Sequence, residues 1–127
     1  MNSQSNSLLL STALVGVALL AGCSKSGMGS SGAMDPAKVP VAVSKAFAKA
    51  PEAAQLAASN CVSALQNQDT CAAFLQLQQM NQQPDLTPQQ HQVVAKAMQA
   101  TFTQVQAAAD HGDTKAQAVM HQYLSTR

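Results

Sequence analysis

Leu8 to Ala21 is an apolar run interrupted only by Ser11, Thr12 and Gly16, and it ends on small residues directly before Cys23. As a helix, about 14 residues cover roughly 21 Å at 1.5 Å each. A bilayer core takes about 20 residues, so the run is too short to span one. Its length is that of the apolar core of a signal peptide. This divides the chain before any fold is considered: residues 1–22 are expected to be removed on export, and whatever folds comes after them. Export also places the remaining cysteines where disulfides are permitted.

Leu20-Ala21-Gly22-Cys23 resembles the lipobox of bacterial lipoproteins, L-[AS]-[GA]-C. The resemblance implies that the Cys23 thiol receives a diacylglycerol, that the chain is cut between Gly22 and Cys23, and that the new amino group is acylated. The local chemistry agrees, since a peptidase needs close backbone approach and Ala21 and Gly22 allow it. One departure is that Met1–Ser7 holds no Lys or Arg, where signal peptides usually carry positive charge. Ser24, where an Asp would imply inner-membrane retention in such families, implies the outer membrane. The expected partner is therefore membrane lipid, through acylated Cys23. The expected place is the cell envelope, anchored to the outer membrane and facing the periplasm.

Ser24 to Ala33 reads SKSGMGSSGA. It has no apolar periodicity and cannot bury enough surface to offset the entropy of ordering it. Residues 23–39 are read as the lipidated Cys plus a flexible tether. Ser24 to Val39 would reach roughly 20–24 Å as a random coil.

Residues 40–127 form the expected domain, rich in Ala and Gln, both strong helix formers. The whole chain has one Tyr, three Phe and no Trp, so the core is thin. Val39-Pro40 opens a short helix with Val43, Phe47 and Ala50 on one face. Glu52 to about Gln66 is a second, with Ala54, Ala57, Ala58, Cys61 and Leu65 at helical spacing. Asn67 to Asp69 is a turn, and Asp69 caps a third helix that carries Cys71, Phe74, Leu75 and Leu77 to near Asn81. Thr87-Pro88-Gln89-Gln90 is the clearest start, with a capping Thr, Pro at the first position and Gln completing a capping box. Its stripe is Val94, Ala97, Met98, Thr101, Val105 and Ala108, ending at His111-Gly112. Asp113 caps a fifth helix, with Ala116, Val119, Met120, Tyr123 and Leu124 on its apolar face. The expected fold is all-α: a small antiparallel bundle of four or five helices, with one disulfide.

That disulfide is assigned to Cys61 and Cys71. On one unbroken helix their Cα atoms would lie roughly 15 Å apart, against about 5.5 Å for a bridge. The turn at Asn67 to Asp69 lets the third helix swing back toward the second. The functional alternative, a redox or metal dithiol, fits badly with nine intervening residues.

His91, His111 and His121, with Met98 and Met120, are the copper-type ligands the chain offers. Their spacings make no tight set, so no metal and no cofactor are expected. The six acidic residues make no catalytic pair by spacing, and no nucleophile or phosphate-loop motif appears. No enzyme activity is expected. Net charge +1 gives no field for nucleic acid or for anionic lipid. Ala107 to Gln117 is similar to the helix–Gly-Asp–helix turn of Sel-type repeats, relatives of the tetratricopeptide class; it covers one turn and implies a helix-turn-helix corner. The function expected is a membrane-anchored envelope lipoprotein whose helical, non-enzymatic module contacts another envelope protein or the cell wall. The alternative is a periplasmic carrier of a small ligand or metal.

Overall fold

A computed structural model describes residues 34–127. The expected signal peptide, Cys23 and the Gly/Ser-rich segment up to Ala33 lie outside the described residues. Every regular element among the described residues is helical: a single 3-10 turn at Pro36–Lys38, then α1 (Val39–Phe47), α2 (Glu52–Gln66), α3 (Thr70–Asn81), α4 (Pro88–Asp110) and α5 (Thr114–Ser125). The fold reaches back to Asp35, whose carboxylate accepts the Ala37 N–H at 3.0 Å and starts the 3-10 turn. Val39 is already fully buried, so the last residues of the expected tether belong to the folded unit.

The helix ends follow from local chemistry. Asp69 accepts from Ala72 N–H at 3.0 Å and starts α3. Thr87 accepts from Gln90 N–H at 3.2 Å while the Gln90 side chain accepts from Thr87 N–H at 3.0 Å, a complete capping box. The same Gln90 side chain donates to Ala46 O at 3.2 Å, so one residue both starts α4 and fastens it to α1. Asp113 starts α5 by accepting from Ala116 N–H at 3.0 Å. Just before it, Gly112 has φ +92°, the left-handed conformation that ends α4.

The core is in two parts. The first joins Val39, Val43 and Phe47 of α1, Ala54, Ala58 and Cys61 of α2, Ala73, Leu77 and Met80 of α3, and Val94, Ala97 and Ala100 of α4. The second joins Cys71 and Phe74 of α3, Val105 of α4, and Ala116 and Val119 of α5. The 23-residue α4, roughly 35 Å long, runs past both, and Met98 packs against each. Small residues dominate the first part, where Ala makes up much of the α2 face; the second part is where the rings collect.

The expected bridge between Cys61 and Cys71 is absent: both are free and buried. The geometry of α3 gives the reason. The Cys61 thiol faces Ala73, with its Sγ 3.9 Å from Ala73 O. Cys71 lies two residues earlier, which turns it by about 200° around the helix. It therefore packs with Val105, Ala116 and Val119 in the second core, while Cys61 belongs to the first. The turn does return the chain toward α2, but α3 is rotated so that Ala73, and not Cys71, meets Cys61.

Candidate functional site

Four aromatic residues are all the chain has, and three of them meet. Phe74 of α3, Phe102 of α4 and Tyr123 of α5 have ring centroids 5.8, 5.2 and 5.3 Å apart in the pairs 74–102, 74–123 and 102–123. The Phe74–Tyr123 pair is edge-to-face at 83°, the favoured arrangement for two quadrupoles. Phe74 is buried while Phe102 and Tyr123 are half-buried, so the trio is rooted in the second core and opens outward.

The opening is a groove of about 360 Å³ between α3, α4 and α5, with Met98, Phe102, Tyr123 and Leu124 among its walls and Asn81 and Gln99 at its rim. Arg127 closes one end. Its guanidinium sits 4.8 Å from the Tyr123 ring centroid and donates to the Tyr123 hydroxyl at 2.7 Å. Leu124 is 59% exposed at the lip. Such a surface can take an apolar or aromatic side chain by stacking. Its open side would leave a small ligand wet, where binding pockets for such ligands bury about 70–90% of the molecule. Every buried side-chain nitrogen or oxygen among the described residues has a hydrogen-bond partner, so no orphaned polar group points at a missing ligand.

Phe74 and Tyr123 are legible in the sequence as members of helical stripes, but their meeting is not, and Phe102 falls outside the stripes. Phe102 lies next to Thr101, off the main α4 stripe, and its ring partners are Phe74 on α3 and Tyr123 on α5. The available signal was Phe102 standing four residues after Met98 of the stripe, on the neighbouring side of the helix.

A second cluster lies where the α2–α3 turn meets the start of α5. Lys115 Nζ donates to both Asp69 carboxylate oxygens, at 2.9 and 2.8 Å. Those hydrogen bonds, joined by the one from Ala72 N–H, hold the Asp69 carboxyl below its ordinary range. Cys71 sits beside this pair at 7% exposure, and burial, followed by the nearby Asp113 charge, pushes its thiol up. Burial pushes Cys61 up to about 11. The thiolate is the nucleophile and the metal ligand, so both cysteines stay in the unreactive form at neutral pH. Of the histidines, His91 is half-buried near the start of α4, His111 is at the end of α4, and His121 is exposed on α5. The structure does not bring them together. Of the sequence-based candidates, Cys61 and Cys71 are thus placed in separate cores, and Cys23 lies outside the described residues.

No family model matches the chain, and neither a curated protein nor a solved structure matches it.

Proposed function

We propose that the chain is an envelope lipoprotein: Cys23 is acylated and holds the protein to the outer membrane, and the helical domain works on the periplasmic side as a non-enzymatic protein-interaction module. In this reading the helices run as antiparallel neighbours, joined by the short turns at Asn67–Asp69 and His111–Asp113. The lipobox supports the anchor, and the protonated, buried thiols support a domain without cysteine chemistry. The observation that carries the interaction role is the open aromatic groove. A chain with four aromatic residues commits three of them to one spot, and leaves Leu124 at its edge in water. Tyr and Arg are enriched among the residues that carry protein–protein binding energy, and Tyr123 and Arg127 stand together in this groove. The partner reads as an envelope protein presenting an apolar or aromatic anchor.

The groove volume is within the range of small-ligand sites, which keeps the carrier role as the second reading. A photoreactive amino acid replacing Leu124 in living cells separates the two. Capture of a discrete protein, lost when Phe102→Ala is added and absent from the same probe at exposed Gln117, is the expected result. Adducts with small molecules alone, or equal capture from both probe positions, would overturn the interaction role.

A further inference from the structure

The chain's net charge of +1 hides a local asymmetry around α1. Of seven Lys and Arg in the sequence, Lys38, Lys45 and Lys49 fall within twelve residues, and no Asp or Glu lies between them. Lys45 is inside α1, while Lys38 and Lys49 flank its ends. Lys38 and Lys45, seven residues apart at the start and inside of α1, fall on the same side of the helix, and Lys49 follows in the turn just past its end. That side is opposite Val39, Val43 and Phe47, which fill the core. All three lysines are exposed, and none is in an ion pair with a described residue; the one such pair is Lys115–Asp69. The nearest acidic residues stand outside the stripe: Asp35 is occupied in capping the 3-10 turn, and Glu52 opens the next helix.

Apolar surface borders the same stripe. Val41 is 71% exposed, the highest value of any large apolar residue among those described. Beside it, a shallow depression between α1 and α2 is walled by Pro40, Val41 and Val62. The apolar face of α1 is buried in the core, so the attraction this surface offers a bilayer is electrostatic, ammonium groups on lipid phosphates with Val41 at their edge.

We infer that this face of α1 docks on the anionic phospholipid surface to which the protein is anchored. Chain length permits this placement. Fourteen residues separate Cys23 from Lys38, which reach at most roughly 50 Å when fully extended, and α1 is the first α-helix beyond them. The inference rests on the anchored reading for this geometry. It adds that the domain is oriented, with α1 toward the lipid and the aromatic groove of α3, α4 and α5 on other helices left open to a partner. Each lysine near an anionic surface contributes about fivefold in binding, so the three together contribute about a hundredfold, and salt screens the attraction.

Flotation with vesicles tests this, using the lipidated protein and the chain from residue 23 carrying Cys23→Ser. Vesicles are phosphatidylcholine alone, or phosphatidylcholine with one third phosphatidylglycerol. The lipidated protein is expected to float with both. The Cys23→Ser chain is expected to float with the anionic vesicles only, to be released at high salt, and to lose about a hundredfold in partitioning when Lys38→Gln, Lys45→Gln and Lys49→Gln are combined. Circular dichroism checks that this exposed triple variant keeps its helix content. Failure of the Cys23→Ser chain to bind anionic vesicles at low salt, or binding indifferent to the triple change, overturns the inference. Failure of the cell-derived protein to float with neutral vesicles overturns the anchor instead, while the anionic arm still decides the role of α1.

Discussion

The two cysteines differ from their expected pairing because of a rotation of about two residues on one helix. Ala73 occupies the position facing Cys61, and Cys71 serves a different core. Sequence spacing shows that a turn can bring two helices together. It does not show which face of the second helix the first will meet, because Cys71, Ala73 and Phe74 are all small or apolar enough to fill it. The pH behaviour of Cys61 is a consequence. Burial pushes its folded thiol up from an ordinary value of 9.0 to about 11. The folded state thus keeps a proton that the unfolded state has lost, and stability falls as pH rises from about 9 to 11, at up to roughly 1.4 kcal/mol per unit. Denaturant unfolding at pH 8 and pH 10.5 should show a loss in the parent protein that is smaller in Cys61→Ala. An equal loss in both would mean the buried thiol is not responsible.

Asp69 also acts at the residue scale, as cap of α3 and as partner of Lys115. Its carboxyl is held below the ordinary range, so its contribution is fully present above about pH 4, the unfolded value, and fades as pH falls through the lower folded value. Asp69→Ala removes the cap and should cost about 1 kcal/mol at pH 7. Asp69→Asn keeps an acceptor for Ala72 N–H and should cost less, since the exposed ion pair contributes little. Urea unfolding at pH 7 is the check, and an Asn variant as weak as the Ala variant would show that charge, not capping, is what α3 needs. The capping role was readable from the sequence because it depends on neighbours three residues apart. The Lys115 contact joins residues 46 apart and left no local mark.

At the scale of the element, the starts of α3, α4 and α5 were legible because each is set by a capping side chain within one turn. The apolar face of α5 was legible too, but how deeply it is buried was not. Ala116 and Val119 are buried, Met120 and Tyr123 are half-buried, and Leu124 is mostly in water. The face fades along the helix because α5 packs on α4 and only lightly on α3. It is still core. Removing the residues after Asp113 uncovers Phe74, Phe102 and Val105 and removes one ring of the trio. Burying a large apolar side chain contributes roughly 1.5–3 kcal/mol, against a total of about 5–10 kcal/mol for a domain of this size. Truncation after Asp113 should lower the melting temperature of the remaining helices by more than about 10 °C, read by circular dichroism. An unchanged melting temperature would make α5 an appendage, and its apolar face would then replace the groove as the partner surface.

For the whole molecule, helix content was written in Ala, Gln and the absence of β-branched runs, and the all-α class followed. The division into two cores was not, since it depends on α4 being long enough to serve both and on α3 burying two faces. The charge asymmetry of α1 was also hidden, because near-zero net charge averages a basic stripe against acids that cap helices elsewhere. What joins these features into one account is the anchor: a lipid at Cys23 would hold the lysine face of α1 near the membrane, with the aromatic groove carried on α3, α4 and α5. Mass spectrometry of the N-terminal peptide from protein extracted from cell membranes tests that claim most directly. The expected result is a chain that begins at Cys23 with a diacylglycerol on its thiol and an acyl group on its amine. A peptide with Cys23 unmodified, or a mature chain beginning at any other residue, would contradict it.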